Sequence, residues 1–499
     1  MHFHVQTPRI SRVAVAAVLA CCTFGAAAQA RPAPTVAEAE RFVKEAEARL
    51  AELAIRAERA GWVVDTFITD DTELIKAQAD EALLKASGEV ALASRRFNGL
   101  VLPADTARKL KRMQLSRMLE SDADRERLTR IQAAMTGAYG KAKYCAADAA
   151  GKPLPCKALG DLEQLLIDSR NPAELLDAWK GWHAQAKAYR KDYAEFVALS
   201  NKGARAMGFA DTGALWRAGY DMPADAFAAD MERVWQQVKP LYVSLHAYVR
   251  NRLRQVYGPD VVPADGPIPA HLLGNMWSQS WEGIYPVVKP PKKGGAPAFD
   301  LGRALAQRKM TPVEMVKYAE GFYTSLGMEA LPATFWERSM LTKPQDREVV
   351  CHASASDIDK EEDVRVKMCI RSTEDDFYTL HHELGHTYYD LAYRRQPMAF
   401  RDGANDGFHE AIGDTMALSI TPGYLRRIGL MGPDDVPGDD IDNLLLMALR
   451  KVAFLPFAYK VDSWRWQVGC AAGLRQALVA AERGLPGRRP ARASGAGRV

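Results

Sequence analysis

The sequence predicts a mostly α-helical protein, on three observations. Long stretches of strong helix formers carry apolar residues three to four positions apart. Alternating, β-branched text is confined to one short segment, and no repeat of solenoid period is present. Taken in order, the first helix is TVAEAERFVKEAEARLAELAIRAER from Thr35 to about Arg59, rich in Ala, Glu, Leu and Arg. The same pattern recurs over 72–95, 104–138, 172–198, 224–256 and 312–326. Pro- and Gly-rich text at 258–268 and 287–298 reads as loops, the second being linker-like. Residues 347–370 contain REVVCHASAS and VRVKMCI and predict a short hairpin. DGFHEAIGDTMALSI at 406–420 reads as a further helix with Phe408, Ile412 and Thr415 on one face.

The 499 residues are 48% hydrophobic, 26% charged and 9% aromatic, which excludes disorder, collagen and a multi-span membrane protein. That length suits about three folding units or one large lobed domain. A net charge of +4 gives no reason to expect nucleic acid or an acidic membrane as partner.

The first thirty residues read as an export signal. Arg9 and Arg12 precede an apolar run from Val13 to Phe24, and Ala28-Gln29-Ala30 offers a small-x-small cleavage site. The run is shorter than the roughly 20 residues of a spanning helix. The expectation is a mature chain starting near Arg31 in the periplasm or beyond. A lipid anchor at Cys21 or Cys22 fits only loosely. Export makes disulfides Cys145–Cys156 and Cys351–Cys369 the expected state, with free buried thiols as the alternative, and leaves Cys470 alone.

Chemistry concentrates where the histidines do. Five of ten, His352, His381, His382, His386 and His409, fall in one short region. His382-Glu383-Leu384-Gly385-His386 spells H-E-x-x-H, which on a helix puts two imidazoles on one face with Glu383 beside the open metal position. That is the pattern of a water-activating zinc site. Such zinc usually takes three protein ligands, and Glu410 on the following helix completes a His₂Glu set. Asp414, one turn on, is placed to accept a hydrogen bond from a ligand histidine. By spacing alone, both carboxylates also read as solvated surface residues.

The runs HHELGHTYYD, AFRDGANDGFHEAIGD and ALRKVAFLPFAYKVDSWRW closely resemble the angiotensin-converting-enzyme family of zinc peptidyl-dipeptidases. HLLGNMWSQSWEGIYP at 271–286 and EVVCHASASD at 348–357 extend the likeness from near the mature start to Trp466. The resemblance implies a large, two-lobed, zincin-like helical fold with few strands. Its deep central cleft would carry one zinc ion at the floor under N-terminal helices. His382, His386 and Glu410 would hold zinc, Glu383 would act as general base and then acid, and Asp414 would orient a ligand. It also assigns His352, Ala353 and Ala355 to a substrate-binding strand and Gln279 to the substrate's C-terminal carboxylate. Unaided, His352 reads as a hairpin histidine and Gln279 as an ordinary polar residue. The implied substrates are oligopeptides. Both cysteine pairs match family disulfides, while oligomeric state and chloride stay open, chloride because its contacts lie partly beyond the match.

After Val468 the text becomes GCAAGLRQALVAAERGLPGRRPARASGAGRV, basic and without aromatics, where the family continues with oxyanion and carboxylate-binding residues. The reading is a catalytic domain over 31–468, incomplete at its end through a frameshift near Val468, with a disordered tail at 469–499. A genuine variant terminus is the alternative. On that reading Leu444, Leu445, Leu446, Phe454, Leu455 and Phe457 would lack partners, and folding and turnover would suffer. A zinc-retaining pseudoenzyme or peptide-binding protein is then the rival from another class. A thimet-type oligopeptidase is disfavoured because it lacks the HASA and GFHEAIGD segments.

Overall fold

Helices begin where the chain supplies side-chain caps. The computed structural model describes residues 33–148, 150–291, 299–437, 440–468 and 488–489, and is mostly helical. Thr35 and Glu38 form a reciprocal capping box for Val36–Thr66, Thr69 and Thr72 do so for Asp70–Ser94, and Thr311 with Glu314 opens Pro312–Ser325. Asn171 caps Pro172–Ala184, where proline takes the first turn and its missing N–H costs nothing. The predicted helix over 224–256 runs unbroken as Ala224–Tyr257 despite Pro240.

Two predicted helices are interrupted, and a further helical run near the end of the described chain carries a π-helical turn. The stretch 104–138 divides into Ala104–Met113 and Asp122–Lys141. Between them Met118 donates its N–H to Gly203, and the Arg125 guanidinium takes the Leu119 and Glu120 carbonyls, so tertiary bonds replace the helical ladder. The stretch 172–198 divides into Pro172–Ala184 and Arg190–Ala206 around a tight turn at Gln185–Lys187. The last helical run is Asp440–Met447 and Phe454–Val468 joined by a π-helical turn, Ala448–Val452.

The predicted hairpin is Ser354–Asp357 paired antiparallel with Val364–Lys367, with Ser354 opposite Lys367 and Ala355 opposite Val366. The disulfide Cys351–Cys369 closes its base, and Cys145–Cys156 closes a second small antiparallel pair. Among the described residues the apolar core falls into separate clusters. One joins Pro312–Ser325, the hairpin and Glu374–Tyr393, with Tyr323, Phe335 and Phe377 fully buried. A second centres on Trp281, Tyr242 and Leu253 in the middle of the chain, and a third on Val43, Val90 and Phe97 near its start.

The export signal with Cys21 and Cys22, Cys470, residues 292–298 of the linker-like stretch, and most of the 469–499 tail lie outside the described residues. Of the tail, Arg488–Arg489 pairs in parallel with Ile268–Pro269. No described helix is long and apolar enough to cross a membrane.

Candidate metal centre

Two helices meet at a glycine contact, and that contact makes the site. Glu374–Tyr393 starts at the cap Thr373 with Glu374, Asp375 and Asp376 in its first turn, where the helix dipole favours negative charge. Phe377, Leu380, Leu384, Tyr388 and Leu391 bury one face of it in the core. This leaves His382 and His386 on a neighbouring face, toward the helix Asp406–Ala417. A Cβ on Gly385 would fall 2.7 Å from the Gly413 Cα, and one on Gly413 would fall 2.8 Å from His382 Nδ1. Neither helix has room for a side chain there. Only glycine lets the second helix approach closely enough for its carboxylates to reach the imidazoles.

Ligand atoms of His382, His386 and Glu410 all lie within 4.8 Å of one another. The two Nε2 atoms are 3.0 Å apart, His382 Nε2 is 3.4 Å from Glu410 Oε2, and His386 Nε2 is 3.9 Å from Glu410 Oε1. Tetrahedral zinc, with ligand bonds of about 2.0–2.2 Å, sets its ligand atoms about 3.3–3.5 Å apart, within the observed spread. Two imidazole nitrogens this close cannot both carry protons. Burial opposes charge on both rings. His382 is nevertheless raised to about 9 by Asp414 and Glu410, while His386 is lowered to about 4 by burial and by His382. The pocket between these atoms favours one positive charge, a proton on His382 or a cation held in its place by both Nε2 atoms and the Glu410 carboxylate.

Each imidazole is held from behind in a different way. His382 Nδ1 bonds Asp414 Oδ1 at 3.1 Å, and Lys451 Nζ bonds the same oxygen at 2.6 Å. Burial resists ionisation of Asp414, but His382 and Lys451 outweigh it and bring the carboxyl down to about 2. His386 Nδ1 instead meets His409 Nδ1 at 3.2 Å, and His409 Nε2 lies 3.2 Å from the Tyr393 hydroxyl, which donates to Asp390. With His386 Nε2 facing the cluster, its Nδ1–H donates to His409, the His409 Nε2–H to Tyr393, and the Tyr393 O–H to Asp390.

Glu383 is buried beside these ligands. Loss of water around it raises its carboxyl to about 7, while the Ala355 N–H of the hairpin donates to it. The hairpin is tied down by Lys367, whose ammonium donates to the His352 carbonyl at 2.8 Å and to Val350 at 3.1 Å and lies 3.7 Å from Asp65 on the first helix.

The structure thus brings together His382, Glu383, His386, Glu410, Asp414 and Ala355, with His352 and Ala353 in the two residues just before the strand Ser354–Asp357. Gln279 is half-buried in another segment, where its backbone N–H donates to Asn275. No hydrogen bond or ion pair joins it to the cluster among the described residues. The clustered histidines sort into different jobs. His381 is a neutral core residue bonded to the Phe377 carbonyl and the Tyr424 hydroxyl, lowered to about 4 by burial. Asp390, Tyr393, Lys367 and Lys451 are supporting residues that the sequence pattern does not single out, and His409, one of the clustered histidines, takes a supporting place behind His386. The one local signal for them is the Asp390–Tyr393 spacing on the ligand helix.

The apolar face read for 406–420 differs in the structure. Phe408 is 52% exposed and Thr415 is exposed, because the buried side of this helix is its Gly413–Ala417 edge. Farther along, Leu444 is 62% exposed and Phe454 and Leu455 are also exposed, whereas Leu445, Leu446 and Phe457 are half-buried.

A family model described as angiotensin-converting enzyme matches residues 33–472. The chain is 44% identical over 449 residues to angiotensin-converting enzyme of Oryctolagus cuniculus, covering 87% of this chain and 33% of the relative. The corresponding protein of Theromyzon tessulatum is 43% identical over 354 residues, covering 70% and 56%. That of Haematobia irritans exigua is 38% identical over 416 residues, covering 81% and 66%. The chain therefore spans about a third of the length of its mammalian relatives.

Proposed function

The chain belongs to the angiotensin-converting-enzyme family, and from that premise we propose that it is a zinc-dependent peptidyl-dipeptidase releasing dipeptides from the C-termini of oligopeptides. The observation that carries this reading is the convergence of His382, His386 and Glu410 beside a buried Glu383. The first three residues would hold zinc, which when bound supplies Lewis acidity toward a carbonyl and a water molecule.

The chain's own groups have distinct tasks. Glu383, raised toward neutrality by burial, is suited to take a proton from water and return it to the leaving amine. Asp414 and the His409–Tyr393–Asp390 chain fix which ring nitrogen of each ligand histidine faces the cluster. Ser354–Asp357 pairs with Val364–Lys367 along one edge, and its other edge would offer backbone groups to an extended peptide, with His352 and Ala353 just before the strand and Ala355 within it. Gln279 is assigned to the terminal carboxylate on family resemblance. Export to an oxidising compartment belongs to the same proposal, supported by the two disulfides.

The test is turnover of a blocked tripeptide by zinc-loaded protein, with release of the C-terminal dipeptide followed by mass spectrometry. Glu383→Gln should abolish release while retaining zinc. Endoproteolytic or absent cleavage by the wild type would overturn the reading, and zinc retention without turnover would favour a peptide-binding pseudoenzyme.

A further inference from the structure

The helices Asp70–Ser94, Ala104–Met113 and Asp122–Lys141 face the segment 402–405 across a cavity of about 710 Å³. Its lining is unbalanced in charge, with five cations against three carboxylates. Each carboxylate is already engaged. Asp80 pairs with Lys76. Asp221 receives both arms of Arg108, one at 2.7 Å, and Lys111 at 3.0 Å. Asp402 meets Arg112 at 3.2 Å.

Arg117 is the cation left over. Its Nη1 donates to the Ser200 hydroxyl at 2.9 Å, and no Asp or Glu forms an ion pair with it among the described residues. The surrounding atoms strip enough water from the guanidinium to pull it below its ordinary value, against the weaker attraction of Asp80. A desolvated cation without a counter-ion is unfavourable, and the planar fork of arginine matches a carboxylate in two parallel hydrogen bonds.

The cavity also adjoins the metal cluster. Gly403 lies in its wall, and a Cβ there would fall 2.6 Å from His409 Cδ2, while His409 bonds His386. One side chain thus stands between the cavity and a ligand histidine. A peptidyl-dipeptidase holds only two residues on the C-terminal side of the cut, so the rest of an oligopeptide must lie on the other side.

We propose that this cavity receives the part of the peptide preceding the scissile bond and selects an acidic side chain there, with Arg117 taking its carboxylate in a fork and Lys111 adding positive field. This deepens the peptidase reading and rests on it for the identity of the ligand as a peptide. The preferred substrates are then oligopeptides with Asp or Glu upstream of the released dipeptide.

The experiment uses zinc-loaded full chain carrying Glu383→Gln and fluorescent peptides that share one C-terminal tripeptide. They carry Glu, Gln or Lys in turn at each of the four preceding positions, and binding is read by anisotropy. At one position at least, Glu should bind about tenfold tighter than Gln, the size of one charge-assisted contact, and Lys should bind weakest. The gap should shrink as salt rises. Arg117→Gln should close it and Arg117→Lys should keep part of it. Lys111→Gln, at a side chain 54% exposed and so tolerant of change, should narrow it if Arg117→Gln does not fold.

Equal binding of Glu and Gln peptides at every position at low salt overturns the proposal, as does a gap that survives Arg117→Gln. Displacement by inorganic phosphate as effective as by unlabelled Glu peptide would make this a site for free anions and also overturn it. Wild-type cleavage of the blocked tripeptide runs in parallel. A Glu preference without that cleavage sinks the peptidase reading and leaves acidic-peptide binding standing, and the opposite pattern does the reverse.

Discussion

The two helices of the metal centre treat their carboxylates in opposite ways. On Glu374–Tyr393, burial raises Glu383 and Asp390 each to about 7. On Asp406–Ala417, Glu410 is lowered chiefly by its bond to His382, and Asp414 falls to about 2 despite burial because His382 and Lys451 face it. The first helix is fixed in the core and keeps water off its acids. The second is peripheral, with the Glu410 side chain 70% exposed. Depth therefore sets their protonation: carboxyls raised toward neutrality sit on the buried helix, and carboxyls held below their ordinary range by His382 and Lys451 sit on the shallow one.

The strongest break of this division is Glu383→Gln, which leaves the shape and the candidate ligands His382, His386 and Glu410 but removes the proposed proton acceptor. The expected loss of peptide turnover is about 10²–10⁴-fold with zinc content unchanged, checked by steady-state kinetics beside metal analysis. Next is Gly413→Ala. The added methyl must displace either His382 or the helix backbone, as overpacking in a tight core does, at about 1–3 kcal/mol. A lowered melting temperature should accompany weaker zinc binding in calorimetry. An unchanged melt and zinc affinity would show that the helices do not depend on the close approach.

Asp414→Asn probes the shallow helix more gently. It removes the charge that Lys451 and His382 share while keeping an oxygen for His382. Supporting carboxylates of this kind are worth about 10–100-fold in metal affinity, and a competitive chelator assay reads that directly. Affinity equal to wild type would mean that geometry rather than charge orients His382.

What could be read from the sequence was what local spacing controls. His382 and His386 are four residues apart, and helical geometry alone puts them on one face. Glu410 and Asp414 follow the same rule on their own helix, and the hairpin announces itself by alternation between two cysteines. The supports of the site were hidden because they arise from distant meetings. Lys451 reaches Asp414 from the π-helical turn Ala448–Val452, which no composition signal marks. His409 looked like one more histidine in a rich stretch, and only the packing of the two helices puts it behind His386. The break between Ala104–Met113 and Asp122–Lys141 was equally invisible, since helix-forming text continues across it while the Gly203 carbonyl and the Arg125 side chain claim the backbone.

The smallest effect expected is one of pH, and it tests the buried helix where no metal ligand is touched. Asp390 stands near 7 in the folded chain against an ordinary 3.8, mainly through burial, with the Tyr393 hydroxyl partly opposing the rise. Between those values the folded chain holds a proton that the unfolded chain has released. Its contribution to stability is therefore present at about pH 4 and declines as pH rises toward 7, at no more than about 1.4 kcal/mol per pH unit. Asp390→Asn keeps an acceptor for Tyr393 and has no proton to lose. Urea midpoints measured from pH 5 to 8 should fall with pH in the wild type and less steeply in the variant, so that the variant gains relative stability at the alkaline end. Parallel curves would mean that Asp390 is ionised throughout and that the Tyr393 hydroxyl outweighs its burial. The contrast between the two helices would then rest on Glu383 alone.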